Sequence, residues 1–483
     1  MTESSPHEPR PLAAPGELEL SCRLPLLVLF VSAAVWLVIG STFFLIASIK
    51  FHSPEFLGNV RWLTYGRVWP AAVNSLLYGF GVQAGLGVAL WLVVRLGDTP
   101  LLQRGLVTLG AAFWNLGVTV GALGILAGDS TGYENLEAPG YAAWIVFPGY
   151  LLIALFSVLT LHHRRVRPLY VSQWFVLTAL FWFPWIYSTA ELLLLQHPVR
   201  GVMQAVVAWW YSGNLVVVWF GLAGLAAIFY FVPRLTQRAL YSRHLALFTF
   251  WLLILAGSWP EITKSAPVPA WMPALGAMSA MLMLVPTLAV ALNVLRTLGR
   301  NYSNLRAHPA LLFFGVGAAA FVVAGLVRGL MALLDGDPLV HLTWFSRAMM
   351  QLQVYGFFAM TMFGAVYCIL PQLTGLEFPW AKLVRVHFWL ALAGLVLLVV
   401  PLGIGGVVEG LKLRNPEVAF ADIMKGTLPF LRASTVGDLL LALGHLVFLT
   451  NLVGMVNRFY RVRALSAYAA ATADLFKAAE ARP

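Results

Sequence analysis

Twelve stretches of roughly 20 apolar residues, separated by short polar breaks, limit this chain more than anything else in it, because a segment of that length spans the hydrocarbon core of a bilayer. They lie near 25–48, 70–94, 105–127, 141–161, 170–194, 205–232, 245–260, 271–295, 310–334, 348–370, 386–406 and 433–456. Backbone in lipid must satisfy its own hydrogen bonds, and at this length per segment that means helices, so the expected fold is an all-α, twelve-helix integral membrane bundle. Only 11% of the 483 residues are charged and 60% are hydrophobic, more than a soluble core needs. The opening MTESSPHEPRPLAAPGELELSC is polar and Pro-rich, with neither a basic n-region nor a small-residue cleavage site, so the first span, from about Leu24, is expected to stay as an anchor. The expected layout is a tail at 1–24, the bundle at 25–458 and a tail at 459–483 that reads as a short surface helix.

The loops alternate in charge. Arg95 and Arg104, Arg164, Arg165 and Arg167, then Arg234, Arg238 and Arg243, Arg296, Arg300 and Arg306, and finally Lys382 and Arg385 fall on one side. The intervening loops carry Asp129, Glu134, Glu137, Glu261, Asp335, Asp337, Glu409, Glu417 and Asp422. By the positive-inside rule both termini are cytoplasmic, which an even span count also requires. The net charge of +11 is therefore a topology signal, and no nucleic-acid partner is expected. Cys22 and Cys368 are too far apart in sequence to suggest a disulfide framework, and neither belongs to a CxxC or CxxCH motif, which excludes covalently attached haem.

An aromatic-rich helical bundle is a common housing for haem or metal, and imidazole is the usual ligand. Of ten histidines, only His445 falls in the middle of a span. A buried ionisable group there has two readings: a ligand or proton relay, or a side chain hydrogen-bonded to a Ser, Thr or carbonyl of a neighbouring helix. No second histidine shares its depth in this span map. Glu191, Glu409, Arg432 and Asp438 sit near span ends, with Glu409 and Arg432 expected to form a structural pair or interface. Trp209, Trp210, Trp219, Trp251 and Trp259 are expected to pack helices by default.

From the sixth span onward several strings recur in one order: WWYSGN at 209–214, FYFVPR at 229–234, LYS at 240–242, FW at 250–251, VHLTW at 340–344, YCILP at 367–371, HFWLALAG at 387–394 and EGLKLR at 409–414. Together they resemble the catalytic subunit I of cbb-type cytochrome c oxidases, the C family of the haem-copper oxidase superfamily. The likeness runs roughly from Trp69 to Arg458, and twelve spans with both ends inside is that family's topology. The resemblance implies two b-type haems, one copper, a place in the bacterial inner membrane, and partners among the membrane subunits of a respiratory complex, including cytochrome c-type subunits.

The same resemblance marks the family's ligand positions, and all six hold something else. Ala72 stands at the low-spin haem histidine before Asn74, and Gly213 at the copper histidine of the WYSGN string. Glu261 and Ile262 occupy the adjacent copper pair, while Met349 and Gln351 occupy the two haem ligands of the tenth span. The redox tyrosine position, counted six residues back from Glu261, is Leu255. His341 and His387 match family histidines at the haem periphery or helix ends. Only Met349 keeps any coordination chemistry for iron, and a thioether filling a gap is the expectation there. No cofactor is expected.

Glu261, Lys264, Arg328, His341 and Arg347 come to one depth at the outer face, where two readings stand: Glu261 pairs with Arg328 or Arg347, or all five face water at the span ends. Trp259, Met349 and Met350 are expected to fill part of the vacated space. These features favour a cofactor-less relative acting as a structural or assembly subunit. A working oxidase or nitric oxide reductase subunit is one alternative, and a channel or transporter reusing the bundle is another.

Overall fold

The computed structural model describes residues 16–262, 267–299 and 308–480. Among the described residues the main helices are α1 (Glu17–Lys50), α2 (Tyr65–Gly97), α3 (Arg104–Ala127), α4 (Gly140–His162), α5 (Val171–Gln196), α6 (Met203–Thr236), α7 (Arg243–Ala256), α8 (Trp271–Leu298), α9 (Pro309–Leu333), α10 (Trp344–Thr374), α11 (Ala381–Leu413) and α12 (Phe420–Glu480). Eleven are long and apolar enough to span a bilayer, and the chain is an integral membrane protein.

α7 is the exception. The sequence places a span over 245–260, but the helix stops at Ala256 after 14 residues, about 21 Å of rise. Pro260 disfavours helical backbone at the residue before it, and the chain turns at Gly257–Ile262. At the other extreme, α12 has no break after its crossing and continues through Tyr460 and Tyr468 to Glu480, so 459–480 extends the last span as one helix. α1 likewise begins at Glu17, inside the stretch read as tail.

The arginine-rich loops gather at one end of the bundle. Arg95 pairs with Glu19 at 3.0 Å, Arg165 N–H donates to Gly97 O at 2.8 Å, and Arg23 Nε donates to Leu373 O at 2.6 Å. The positive-inside rule makes that the expected cytoplasmic end. Arg300, Arg306 and Lys264 lie outside the described residues.

Helices α2, α6 and α10 form the centre and touch one another. Their most apolar windows are 100%, 100% and 89% buried, whereas the other spans keep wide lipid-facing surfaces. Each of the three also switches to π-helical hydrogen bonding in its middle: Ser75–Val82, Asn214–Trp219 and Leu352–Ala359. An inserted π turn re-aims the side chains on either side of it, and such turns gather at functional sites. Glycines let aromatic rings enter this centre. A Cβ on Gly85 would lie 2.7 Å from the ring of Trp219, and one on Gly81 would lie 2.7 Å from Phe220. Phe220 and Phe358 stack at 4.3 Å between ring centres. Trp219 Nε1–H donates to Ala179 O at 3.0 Å and so ties α6 to α5.

Candidate functional site

The six positions marked by the resemblance lie in or beside the central helices, next to the π turns. Ala72 precedes the turn of α2, Gly213 directly precedes that of α6, and Gln351 directly precedes that of α10. Ala72, Gly213 and Ile262 are buried and offer no donor atom to a metal. Gln351 is buried with its Oε1 unpartnered, and Met349 is half-buried. No group of three His, Cys, Asp or Glu side chains capable of holding a metal ion occurs among the described residues. This donor set does not fit a haem-copper centre, which needs imidazoles around copper and axial ligands to iron.

The place beside Gly213 is taken by another residue's carbon. A Cβ on Gly213 would lie 2.8 Å from Glu261 Cγ and 3.3 Å from Glu261 Cβ. Glu261 then reaches Arg328 of α9, with Oε1 2.9 Å from Nη2, in a half-exposed ion pair. Arg347 takes no part in that pair. Its guanidinium lies 4.0 Å from the ring centre of Trp69, with Phe51 and Trp344 at 5.4 and 5.5 Å, and all three of its nitrogens are shut from solvent without a hydrogen bond. His341 sits in the turn after the short helix Asp337–Val340 and makes no ion pair among the described residues. The expected five-residue cluster is thus a pair and an aromatic cage, with Lys264 undescribed.

Both motif asparagines act as clamps. Asn214 Oδ1 accepts from Trp182 Nε1–H at 3.0 Å and from the Ser258 hydroxyl at 2.9 Å, binding α5 and the turn after α7 to α6. Asn74 Nδ2–H donates to Glu137 Oε2 at 2.7 Å. Glu137 also accepts from the backbone of Asn135 at 3.0 Å, and Asn135 O accepts from the Tyr78 hydroxyl at 2.6 Å. Tyr78 and Tyr211 place their hydroxyls 2.5 Å apart, and Asn135 Nδ2–H reaches Ser212 Oγ at 2.5 Å. Burial pushes the Glu137 carboxyl up to about 7 against these bonds, while burial and the nearby Glu261 raise Glu134. In the sequence Glu134 and Glu137 read as loop acids. Nothing in their spacing signals that Asn74 and two tyrosines from other helices converge on them.

Several expectations need correction. Leu255, counted as the lost tyrosine position, is 67% exposed on the outward face of α7, because that helix ends one residue later and Leu253 and Ala256 face inward. Glu409 does not pair with Arg432. Its Oε2 accepts from the Trp344 backbone N–H at 3.1 Å, and Arg432 is exposed. Trp259 is half-buried, and the rings packed at the centre are Trp219, Phe220 and Phe358. Two small cavities flank the centre, each of about 20 Å³. One is lined by Asn74, Tyr78 and Tyr187, the other by Met283, Arg328 and Gln353, and each has room for a water rather than a porphyrin.

The largest departure concerns His445. It does hydrogen-bond a hydroxyl of a neighbouring helix, with Nδ1 2.5 Å from Ser41 Oγ of α1. It is not alone, however. The His387 ring of α11 lies 6.5 Å away, and both imidazoles are fully buried. His387 reads as a helix-end group only because α11 begins at Ala381; packing draws that turn inward among Phe313, Phe363 and Phe448.

The family model for cytochrome C and quinol oxidase polypeptide I matches residues 25–440. Among curated proteins, a cytochrome c oxidase subunit 1 homolog of Azorhizobium caulinodans is 26% identical, covering 92% of this chain and 83% of its own. The cbb3-type cytochrome c oxidase subunit CcoN1 of Stutzerimonas stutzeri is 27% identical, covering 89% and 93%. A cytochrome c oxidase subunit 1 homolog, bacteroid, of Bradyrhizobium diazoefficiens is 26% identical, covering 87% and 80%. The chain belongs to the cytochrome c and quinol oxidase polypeptide I family.

Proposed function

From that membership we propose that the chain is a subunit I homologue that folds without haem or copper and serves as a structural or assembly subunit of a respiratory complex in the bacterial inner membrane. One observation carries the reading: the space a side chain at position 213 needs is held by Glu261, whose carboxylate is already paired with Arg328. Residues that replace ligands with alanine, glycine and isoleucine leave holes unless neighbours close them, and unfilled holes destabilise a core. Beside Gly213 that neighbour is Glu261, whose Cγ occupies the room a side chain there would take.

The retained twelve-helix frame and the lipid-facing rows of α3, α5, α8 and α11 suit a member that meets other membrane subunits, as the relatives' names as oxidase subunits suggest. The visible spectrum and metal content of the purified protein test this directly. The expected result is no Soret band and no stoichiometric iron or copper, and a Soret band with one or more irons per chain refutes it. Gentle purification of the tagged protein from its native membrane then identifies the partners.

A further inference from the structure

At the arginine-rich end of the bundle two arginines share one phenylalanine. The Arg23 guanidinium of α1 lies 5.1 Å from the ring centre of Phe459 in α12, and that of Arg463, one turn later on α12, lies 5.3 Å from the same ring. Phe459 is buried, so its ring is a fixed platform for both. Residues one turn apart share a helix face, and α12 can present that face because it runs on unbroken past its crossing.

Charge is what this arrangement leaves unbalanced. Among the described residues neither guanidinium has a carboxylate within ion-pair distance. Glu19, one turn before Arg23 on α1, is taken by Arg95 at 3.0 Å. Arg23 and Arg463 act on each other electrostatically, and Arg458 and Arg461, both exposed on the adjoining turns of α12, add to the positive field. Bringing like charges to one ring is unfavourable, and an anion between them reverses the sign of that interaction.

The donors are also held in place before any ligand arrives. Arg23 Nε–H donates to Leu373 O at 2.6 Å, which ties its guanidinium to the end of α10. Stacking on the ring occupies the face of a guanidinium and leaves its N–H edge for paired bonds to an oxyanion, the geometry that phosphate accepts. Depth indicates where such a phosphate comes from. Leu24, beside Arg23, begins the first expected span, and Leu20, Leu24 and Val35 are exposed along one side of α1. A guanidinium at that level meets the headgroup layer, with an apolar row next to it for an acyl chain.

We propose that Arg23 and Arg463, seated on Phe459, form a binding site for a phosphate group, borne by an anionic phospholipid of the surrounding leaflet. The phosphate accepts from both guanidiniums and so fastens the extended end of α12 to α1 and to the end of α10. The site uses none of the positions that the resemblance marks and stands whether or not those hold metal.

The test titrates the full purified chain in detergent with phosphatidylglycerol and with phosphatidylcholine, read by native mass spectrometry, and with inorganic phosphate, read by calorimetry. The expected result is saturable uptake of phosphatidylglycerol in preference to phosphatidylcholine. Its affinity should fall about tenfold in Arg23→Gln and in Arg463→Gln. It should hold in Arg104→Gln, which removes an exposed arginine of α3 at the same end. Saturable binding of inorganic phosphate, lost in the first two variants only, supports the site and assigns it to a free phosphate instead. Binding of none of the three probes, equal uptake of the two lipids without phosphate binding, or equal losses in all three variants overturns the proposal. Arg463 is exposed and its guanidinium makes no hydrogen bond among the described residues, so Arg463→Gln reads the site should Arg23→Gln fail to fold.

Discussion

The corner around Gly213 and the pocket around His387 and His445 are opposite solutions to the same difficulty. At the corner, where the resemblance marks lost imidazoles, the replacements close on themselves: Glu261 takes the room beside Gly213 and pairs with Arg328. In the pocket, imidazoles remain and their outer nitrogens are left unpaired. The difference teaches that missing ligands do not make a region polar or empty, and that surviving histidines need not sit where a family keeps its metals. The Glu261 carboxylate is paired at the first place, and two imidazole nitrogens are unpaired at the second.

The largest way to sharpen that contrast is pH. Burial raises Glu137 from the usual carboxylate range to about 7, so between roughly pH 4.5 and 7 the folded protein holds a proton that the unfolded chain releases. Its contribution is fully present below about 4.5 and is lost as pH rises through 7, a change on the order of 3 kcal/mol. The melting temperature in detergent should fall across that window, and Glu137→Gln should flatten the fall. An unchanged slope in the variant would show that Glu137 is not the group responsible.

Gly213→Ala comes next. Its Cβ meets Glu261 at 2.8 Å, and overpacking of this kind costs about 1–3 kcal/mol. Denaturant titration of the purified protein reads the loss, and a neutral result would mean that the corner is looser than described. Smaller still is the double variant His387→Phe with His445→Phe. Removing both imidazoles in favour of rings of similar shape should change stability by about 1 kcal/mol, because relief of the two unpaired nitrogens offsets the buried partner that the Tyr367 hydroxyl loses. A loss of several kcal/mol would show a tighter network than the pocket displays and break the contrast. Arg328→Gln should be the mildest, a few tenths to about 1 kcal/mol, because the ion pair is half-exposed. If it destabilises more than Gly213→Ala, the pair rather than the packing holds the corner.

Much of this was legible in the chain. Runs of apolar residues of bilayer length leave helices as the spanning form, and alternating loop charge gives their expected direction, so every expected span contains a helix, although α1, α11 and α12 run well past the expected bounds. The pairing of Glu261 with a basic side chain was legible for the same reason, since charge near hydrocarbon needs a partner. The direction Leu255 faces was not, because it depends on how α7 is turned against its neighbours. Glu137 and His387 also escaped, reading as a loop acid and a helix end.

The sequence by itself determined the solvent, the helical form of the spans, the family and which side chains stand at the positions that the resemblance marks. Only the tertiary structure decided what fills those positions and which polar groups meet. Ser41, Tyr367, His387 and His445 are drawn from four helices, with Ser41 and His445 separated by 404 positions in the chain. No periodicity within a helix encodes that meeting, because it depends on how helices rotate and slide against one another to bury their surfaces.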